Sequence, residues 1–298
     1  MSKMNRVRKK FIIYNIGIIG IITVIIAALV YFGSPSKMPA GRLAGTIAIT
    51  LGLVFIGSTL SSKIAMKPVQ SSWRRQLDFT ADASHELRTP LAVIRANLEL
   101  VMDNPDETVG SQRRWLDNIH METVRMTSLV DDLLTLSRSD AGEKALDYSY
   151  FSLNAVVIEC AALFETAAEQ KSIDIQVATN DEIEIWADIS RIRQLLRILL
   201  DNAVKYSDKP GHIQIELFKG SNDMHLIVSD MGKGIAPDHL PNIFNRFYRV
   251  DKQTAEGFGL GLSIAEWIVK EHDGSIQADS AVGEGTRITV SFPIKTRL

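Results

Sequence analysis

The octapeptide Ser84-His85-Glu86-Leu87-Arg88-Thr89-Pro90-Leu91 sets an imidazole beside a carboxylate, with a hydroxyl one helical turn further on. Arg88 at i+3 and Thr89 at i+4 share a helix face with His85. A neutral imidazole is a nucleophile, and an adjacent carboxylate can hold its second ring N–H while positive charge develops. The surroundings are helical. Leu77, Thr80, Ser84, Leu87, Leu91, Ile94, Leu98 and Val101 alternate by three and four, the stripe of a helix packed in a bundle. His85 falls one position past that stripe and is expected to face solvent beside the seam. The plain alternative is a surface histidine without a role.

Four later segments carry groups suited to a nucleotide. In Asp201-Asn202-Ala203-Val204-Lys205-Tyr206, the Asn202 carbonyl is a hard ligand for Mg²⁺, Lys205 can meet phosphate charge, and Tyr206 offers a flat face to a base. In Asp230-Met231-Gly232-Lys233-Gly234, Asp230 can accept an adenine exocyclic amine, while Gly232 and Gly234 let backbone approach the purine. Ile243-Phe244-Asn245-Arg246-Phe247-Tyr248-Arg249 adds aromatics such as Phe244 and the cations Arg246 and Arg249. Gly257-Phe258-Gly259-Leu260-Gly261-Leu262 precedes a helix, where backbone N–H groups can cradle phosphate. It follows no strand of a Rossmann unit, so dinucleotide binding is rejected. Each segment alone also reads as a turn, a helix end or a packing surface.

The elements that must position these groups fall into three blocks. Residues 11–32 form an uncharged run of about 33 Å as a helix, enough to cross a bilayer. Residues 43–62 contain a second apolar run with Gly45, Gly52 and Gly57 for close helix contact. Basic residues crowd the segment 1–10 and follow the second run, whereas only Lys37 and Arg42 lie in the connection 33–42. The bias predicts a two-span hairpin in the cell membrane with both termini cytoplasmic. So short an outer loop cannot form a ligand pocket, so input is expected through membrane lipid, a partner membrane protein or the cytoplasmic side.

Residues 63–76 form a short linker in which Pro68 is expected to kink a helix that runs almost directly into the next block. Residues 77–140 read as two amphipathic helices, the first ending near Asp103 at Asn104-Pro105-Asp106 and the second spanning Gly110 to Ser139. Trp115, Ile119, Met126, Leu129, Leu133 and Leu136 lie at helical spacing on the second, with Glu122 interrupting. Such a pair cannot bury both faces alone, so a homodimeric four-helix bundle is expected. His120 is read as an ordinary surface residue.

Residues 148–298 read as α+β, helices over a mixed sheet. Strands are expected at Ile173–Val177, Ile183–Trp186, His212–Phe218, Met224–Ser229, Ser275–Ala278 and Arg287–Phe292. Helices are expected at Leu153–Lys171, Ile189–Tyr206 and Leu262–Glu271. The net charge of −2 points to no nucleic-acid partner, and the single cysteine, Cys160, excludes an internal disulfide framework.

The octapeptide resembles the phosphoacceptor box of bacterial sensor histidine kinases. The four later segments, in this order, resemble the N, G1, F and G2 boxes of the ATP-binding domain those kinases share with gyrase, MutL and heat-shock chaperone ATPases. The resemblance covers Trp73 to the C-terminus. It implies ATP and Mg²⁺ as cofactors, His85 as phosphoacceptor, Glu86 as base and orienting group, and Asn202 as the Mg²⁺ ligand. Asn202, Lys205, Tyr206, Asp230, Gly232, Gly234, Phe244, Arg249, Gly257, Gly259, Leu260, Gly261 and Leu262 would hold the nucleotide. Arg249, with Arg246 as the alternative, would steady the γ-phosphate. It further implies transfer to an aspartate of a response regulator, and a phosphatase role for Thr89.

The short outer loop resembles the intramembrane-sensing kinases of this family, and the gap before His85 leaves no room for the HAMP relay module. Two features depart from the family pattern. Ile198 stands where Asn or Glu is usual, and the segment between Arg249 and Gly257 is short, with Phe258 in place of a small polar residue. These departures are the support for a competing reading, a nucleotide-binding membrane receptor acting as a scaffold or net phosphatase.

Overall fold

A computed structural model describes residues 17, 19–22, 25, 28, 40–141, 146–179, 182–207, 210–251 and 257–294. The chain divides into two compact units, Met1–Ala81 and Asp82–Leu298. The basic segment 1–10, most of the first apolar run and residues 33–39 lie outside the described residues, as do 252–256. Among the described residues no helix is long and apolar enough to cross a membrane.

Helix α1, Ala40–Met102, is continuous through the expected linker 63–76 and through Pro68. It ends at the expected turn, and α2, Arg113–Ala141, returns beside it. The second helix starts later than the expected Gly110. The residues before it form the turn, where the Gln112 side chain donates to the carbonyls of Val101 and Asn104 at 3.2 and 2.7 Å. Those carbonyls belong to the end of α1, which would otherwise leave them unsatisfied. Lower in the pair, Asn118 donates to Asn97 at 3.2 Å across the seam.

The apolar stripe of α1 separates into two faces. Leu87, Ile94 and Val101 are half-buried, whereas Leu77, Leu91 and Leu98 are 54%, 57% and 45% exposed. On α2, Leu129 and Leu136 are fully buried, and Trp115, Ile119, Met126 and Leu133 are half-buried as their spacing predicts.

The α+β block opens with a strand that the sequence pattern does not predict. β1, Tyr148–Ser152, pairs antiparallel with β3, Glu184–Asp188, as a separate ribbon. Tyr-Ser-Tyr-Phe-Ser shows no apolar alternation. The ribbon is held by ring packing instead, Tyr150 against Trp186 at 4.6 Å and Tyr148 against Trp186 at 5.9 Å. The main sheet has the order β2-β4-β5-β7-β6. Its strands are β2 Ile173–Thr179, β4 Gly211–Lys219, β5 Asp223–Asp230, β6 Ser275–Ala281 and β7 Gly285–Pro293. Only the β2–β4 pair is parallel. Each strand extends the expected range by a residue or more at one end or both.

Helices α3 Leu153–Glu169, α4 Ile189–Tyr206 and α5 Gly261–Glu271 accompany the sheet. α4 starts at Asp188, whose carboxylate accepts from the N–H groups of Ser190 and Arg191. It buries Ile192, Leu195, Leu196, Leu199, Leu200, Ala203 and Val204, a run at helical spacing. The strands bury alternate residues: Ile213, Ile215 and Leu217 on β4, Met224, Leu226 and Val228 on β5, Ile288, Val290 and Phe292 on β7. Cys160 is buried on α3, and burial first, then the Glu159 charge, pushes its thiol pKa up. It is a core residue, as expected.

Leu196 is fully buried at the centre of α4. Leu196→Ala should destabilise the protein by about 2–5 kcal/mol, read as a lower urea midpoint at unchanged m-value.

Candidate active site

His85 is exposed on α1, and so are Arg88 and Thr89, as the spacing predicts. Glu86 is half-buried beside it, and Pro90 is buried within the unbroken helix. The face presented to solvent therefore carries the nucleophile, a cation and a hydroxyl, with the carboxylate turned part-way inward.

The nucleotide segments gather where α4 ends. Lys171 donates its ammonium to the Val204 carbonyl at 3.0 Å, a cation closing the C-terminus of α4. Past that end, Ser207 bridges to Gly232, and the Lys233 N–H donates to the Tyr206 carbonyl at 3.2 Å. A Cβ on Gly232 would lie 2.0 Å from the Tyr206 carbonyl oxygen, and one on Gly234 would lie 1.8 Å from that of Ala281. The expectation for these two glycines is that they admit a purine. What requires them here is backbone packed on backbone.

Asp230 ends β5 and is held by two backbone donors. The N–H of Gly232 and that of Thr286 reach its Oδ1 at 2.9 and 3.3 Å. Gly285, at φ +90°, lies so close that a Cβ there would sit 1.9 Å from the Asp230 carbonyl oxygen. Gly285 and Thr286 have no signal near the Asp230 motif, because the β5–β7 pairing that joins them is long-range.

Asn202 is half-buried, Lys205 is half-buried and Tyr206 is exposed, with the Lys205 ammonium 5.7 Å from the Tyr206 ring centre. The glycine-rich segment comes to this same helix end. Gly257 and Gly259 take φ +100° and +71°, which disfavour a side chain, and a Cβ on Gly257 would lie 3.1 Å from the Lys205 ammonium. Leu260 caps α5 without any side-chain acceptor, so the first N–H groups of α5 have no side-chain partner at this loop. Leu262 is half-buried in the first turn. Ile198 packs within this seam: a Cβ on Gly261 would be 3.2 Å from its Cγ2.

The aromatic segment forms a tight run of turns. The Tyr248 hydroxyl and His239 Nδ1 are 2.6 Å apart, Phe244 is half-buried, and Arg249 is half-buried with its Nε inside. The Phe247 and Tyr248 backbone lies against Gly259. Arg246 does not point to the glycine loop; both its terminal nitrogens meet the Asp140 carboxylate at 2.8 Å.

These residues fit ATP and Mg²⁺. The Ser207 and Ser229 hydroxyls are buried without a hydrogen-bond partner, and Ser207 sits directly beside Gly232, where a purine or a bridging water would satisfy it. The Asn202 carbonyl is a hard oxygen of the kind Mg²⁺ prefers. Lys205 and the Gly257–Gly261 backbone supply the positive charge that a triphosphate requires.

Two expectations follow from this geometry. Asp230→Ala removes the carboxylate yet leaves the Gly232 and Thr286 backbone in place, so ATP affinity should fall about 100-fold or more by calorimetry, with the thermal midpoint little changed. On α2, burial first and the neighbouring Asp131 charge second raise the Asp132 carboxyl from 3.8 to about 6. The folded protein therefore holds this proton to higher pH than the unfolded chain, so the ionised form costs stability as pH rises through that window. Asp132→Asn should raise the thermal midpoint at pH 7.5, and the gain should vanish near pH 4.

Comparison with known proteins follows the same division. Residues 75–142 match the His Kinase A (phospho-acceptor) domain, and residues 187–296 match the histidine kinase-, DNA gyrase B- and HSP90-like ATPase domain, together more than half of the chain. The sensor histidine kinase RppB of Synechocystis is 34% identical, over 90% of this chain and 60% of the relative. BaeS of Escherichia coli, a signal transduction histidine-protein kinase, is 34% identical over 77% of this chain and 49% of its own length. This chain thus spans about half the length of the curated relatives it matches. Among solved structures, the Acinetobacter baumannii histidine kinase AdeS superposes with a TM-score of 0.59 at 27% identity, over 71% of this chain and 98% of that one. Full-length ShkA in complex with AMPPNP superposes at 0.58 with 27% identity, over 73% of this chain and 46% of that one. With a phosphoacceptor helix pair followed by this ATPase domain, the chain belongs to the sensor histidine kinases of two-component systems.

Proposed function

We propose that this chain is an ATP-dependent protein histidine kinase that phosphorylates its own His85 and passes the phosphoryl group to an aspartate of a response regulator. The observation that carries the reading is the exposed His85, with Glu86 tucked beside it, in one compact unit with the site built from Asn202, Lys205, Asp230 and Gly257–Gly261. Neutral His85 supplies the lone pair from Nε2, forming the N–P bond as the bond from the γ-phosphorus to the bridging oxygen breaks. Glu86 holds the other ring N–H and balances the charge that develops. Lys205 and the glycine-loop N–H groups hold the phosphates, and Arg249 steadies the terminal one. Mg²⁺, with Asn202 among its ligands, neutralises charge on the phosphates when bound. Ile198 is apolar and cannot activate water, which favours delivery to histidine over hydrolysis.

The exposed leucines Leu77, Leu91 and Leu98 on α1, with Met121, Val124 and Leu134 exposed on α2, support a second copy completing a four-helix bundle. The exposed Thr89 hydroxyl is placed to orient water for dephosphorylating the regulator. The apolar runs before α1's bundle segment support a two-span membrane hairpin with both termini cytoplasmic, lipid as its surroundings and sensing within the membrane.

Radiolabelling from [γ-³²P]ATP tests the kinase reading. Wild type should take an acid-labile, base-stable label, and His85→Gln should take none. ATP binding without any label on wild type would reject autokinase activity and leave the scaffold reading.

A further inference from the structure

Two contacts tie the nucleotide end of the ATPase domain to α2, and the phosphoryl-transfer chemistry uses neither. The first is the two-pronged pair of Arg246 with Asp140, both arms at 2.8 Å. A guanidinium offers the same fork to a phosphate. The second lies nearer the start of α2, where the Arg125 guanidinium sits 4.9 Å from the ring centre of Phe258. Phe258 stands between Gly257 and Gly259 and is only 8% exposed.

The two contacts lie on one stripe. At 100° per residue, Arg125, Leu129, Asp132, Leu136 and Asp140 fall within about 80° of arc along roughly 22 Å of helix. Leu129 and Leu136 on that stripe are fully buried, and α2 packs against α5. The stripe thus has an apolar middle and one polar contact at each end.

Both contacts reach the phosphate loop directly. Arg246 precedes Phe247, a non-glycine residue at φ 58°, and the backbone of Phe247 and Tyr248 lies against Gly259. Phe258 is part of the loop itself. Movement of the domain away from α2 must therefore move the loop that faces Lys205.

We propose that Asp140 and Arg125 form a latch that holds the ATPase domain docked on α2 in a resting state, Asp140 occupying the guanidinium fork of Arg246, and that this latch must open before His85 is phosphorylated. The inference rests on the autokinase reading above. The Asp140–Arg246 pair is part-exposed, and pairs of that kind are individually weak, as is a single cation–π contact. A latch of this strength can be opened by a modest strain delivered along α1.

The test uses the full chain. Asp140→Asn and Arg125→Ala should each raise the initial rate of His85 labelling several-fold, and an unchanged or lower rate overturns the latch. A second variant, Asp140→Cys with Arg246→Cys, guards against misfolding, because the same protein is compared oxidised and reduced. Its disulfide should form within one chain and lower labelling by about tenfold or more, with recovery in dithiothreitol. Equal labelling in the two states, or a chain-to-chain crosslink, overturns the proposal. If wild type binds ATP but takes no label, the autokinase reading fails by itself. The crosslink then decides the latch: formation within one chain, slowed by ATP with Mg²⁺, supports docking, and its absence refutes it.

Discussion

The burial of α4 against the sheet is the constraint on which the nucleotide site depends. Its apolar face, from Ile192 to Val204, leaves the helix one rotational setting and one depth. Asn202, Lys205 and Tyr206 are then carried at its end as a consequence of packing. The Tyr206 carbonyl meets the backbone of the Asp230 motif, and Ile198 meets Gly261 at the start of α5. A shift of α4 would therefore displace metal ligand, phosphate cation and both glycine motifs together.

Glycine does different work at the two motifs. At Gly232 and Gly234 the Cβ is forbidden by protein carbonyl oxygens, so these residues let three segments of backbone close on one another around Asp230. At Gly257 and Gly259 the left-handed φ is what matters, and the space opposite Gly257 is occupied by the Lys205 ammonium. The first pair builds a rigid floor for the base. The second shapes a loop whose N–H groups and neighbouring cation suit phosphate.

The phosphoacceptor helices obey another balance. Within one chain α1 and α2 bury only part of their apolar surface, joined by Asn97–Asn118 and closed at the turn by Gln112. The remaining leucines need a second surface. That leaves the bundle responsive to what happens at its upper end, since α1 is a single helix from Ala40 through His85 to Met102. The contacts of α2 with Arg246 and Phe258 lie where such a response would be felt by the ATPase domain.

Much of this architecture is legible in local pattern. The three-and-four spacing around His85 places it on an exposed face, and period-two strands with the Ile189–Tyr206 helix give the α+β layering, because side-chain periodicity follows directly from backbone geometry. Strand β1 leaves no such trace, since Tyr148 and Tyr150 are held by Trp186 across the ribbon and not by an alternation of their own. Splitting of the α1 stripe into two faces, the support of Asp230 by Thr286 and Gly285, the hold of His239 on Tyr248 and the engagement of Arg246 by Asp140 are likewise unreadable from local pattern. Each joins residues far apart along the chain or lying in different elements. The sequence by itself determined which chemical groups this protein carries and which elements bear them. Only the tertiary structure decided which groups meet, because long-range pairing depends on the packing of whole faces and leaves no local periodicity to read.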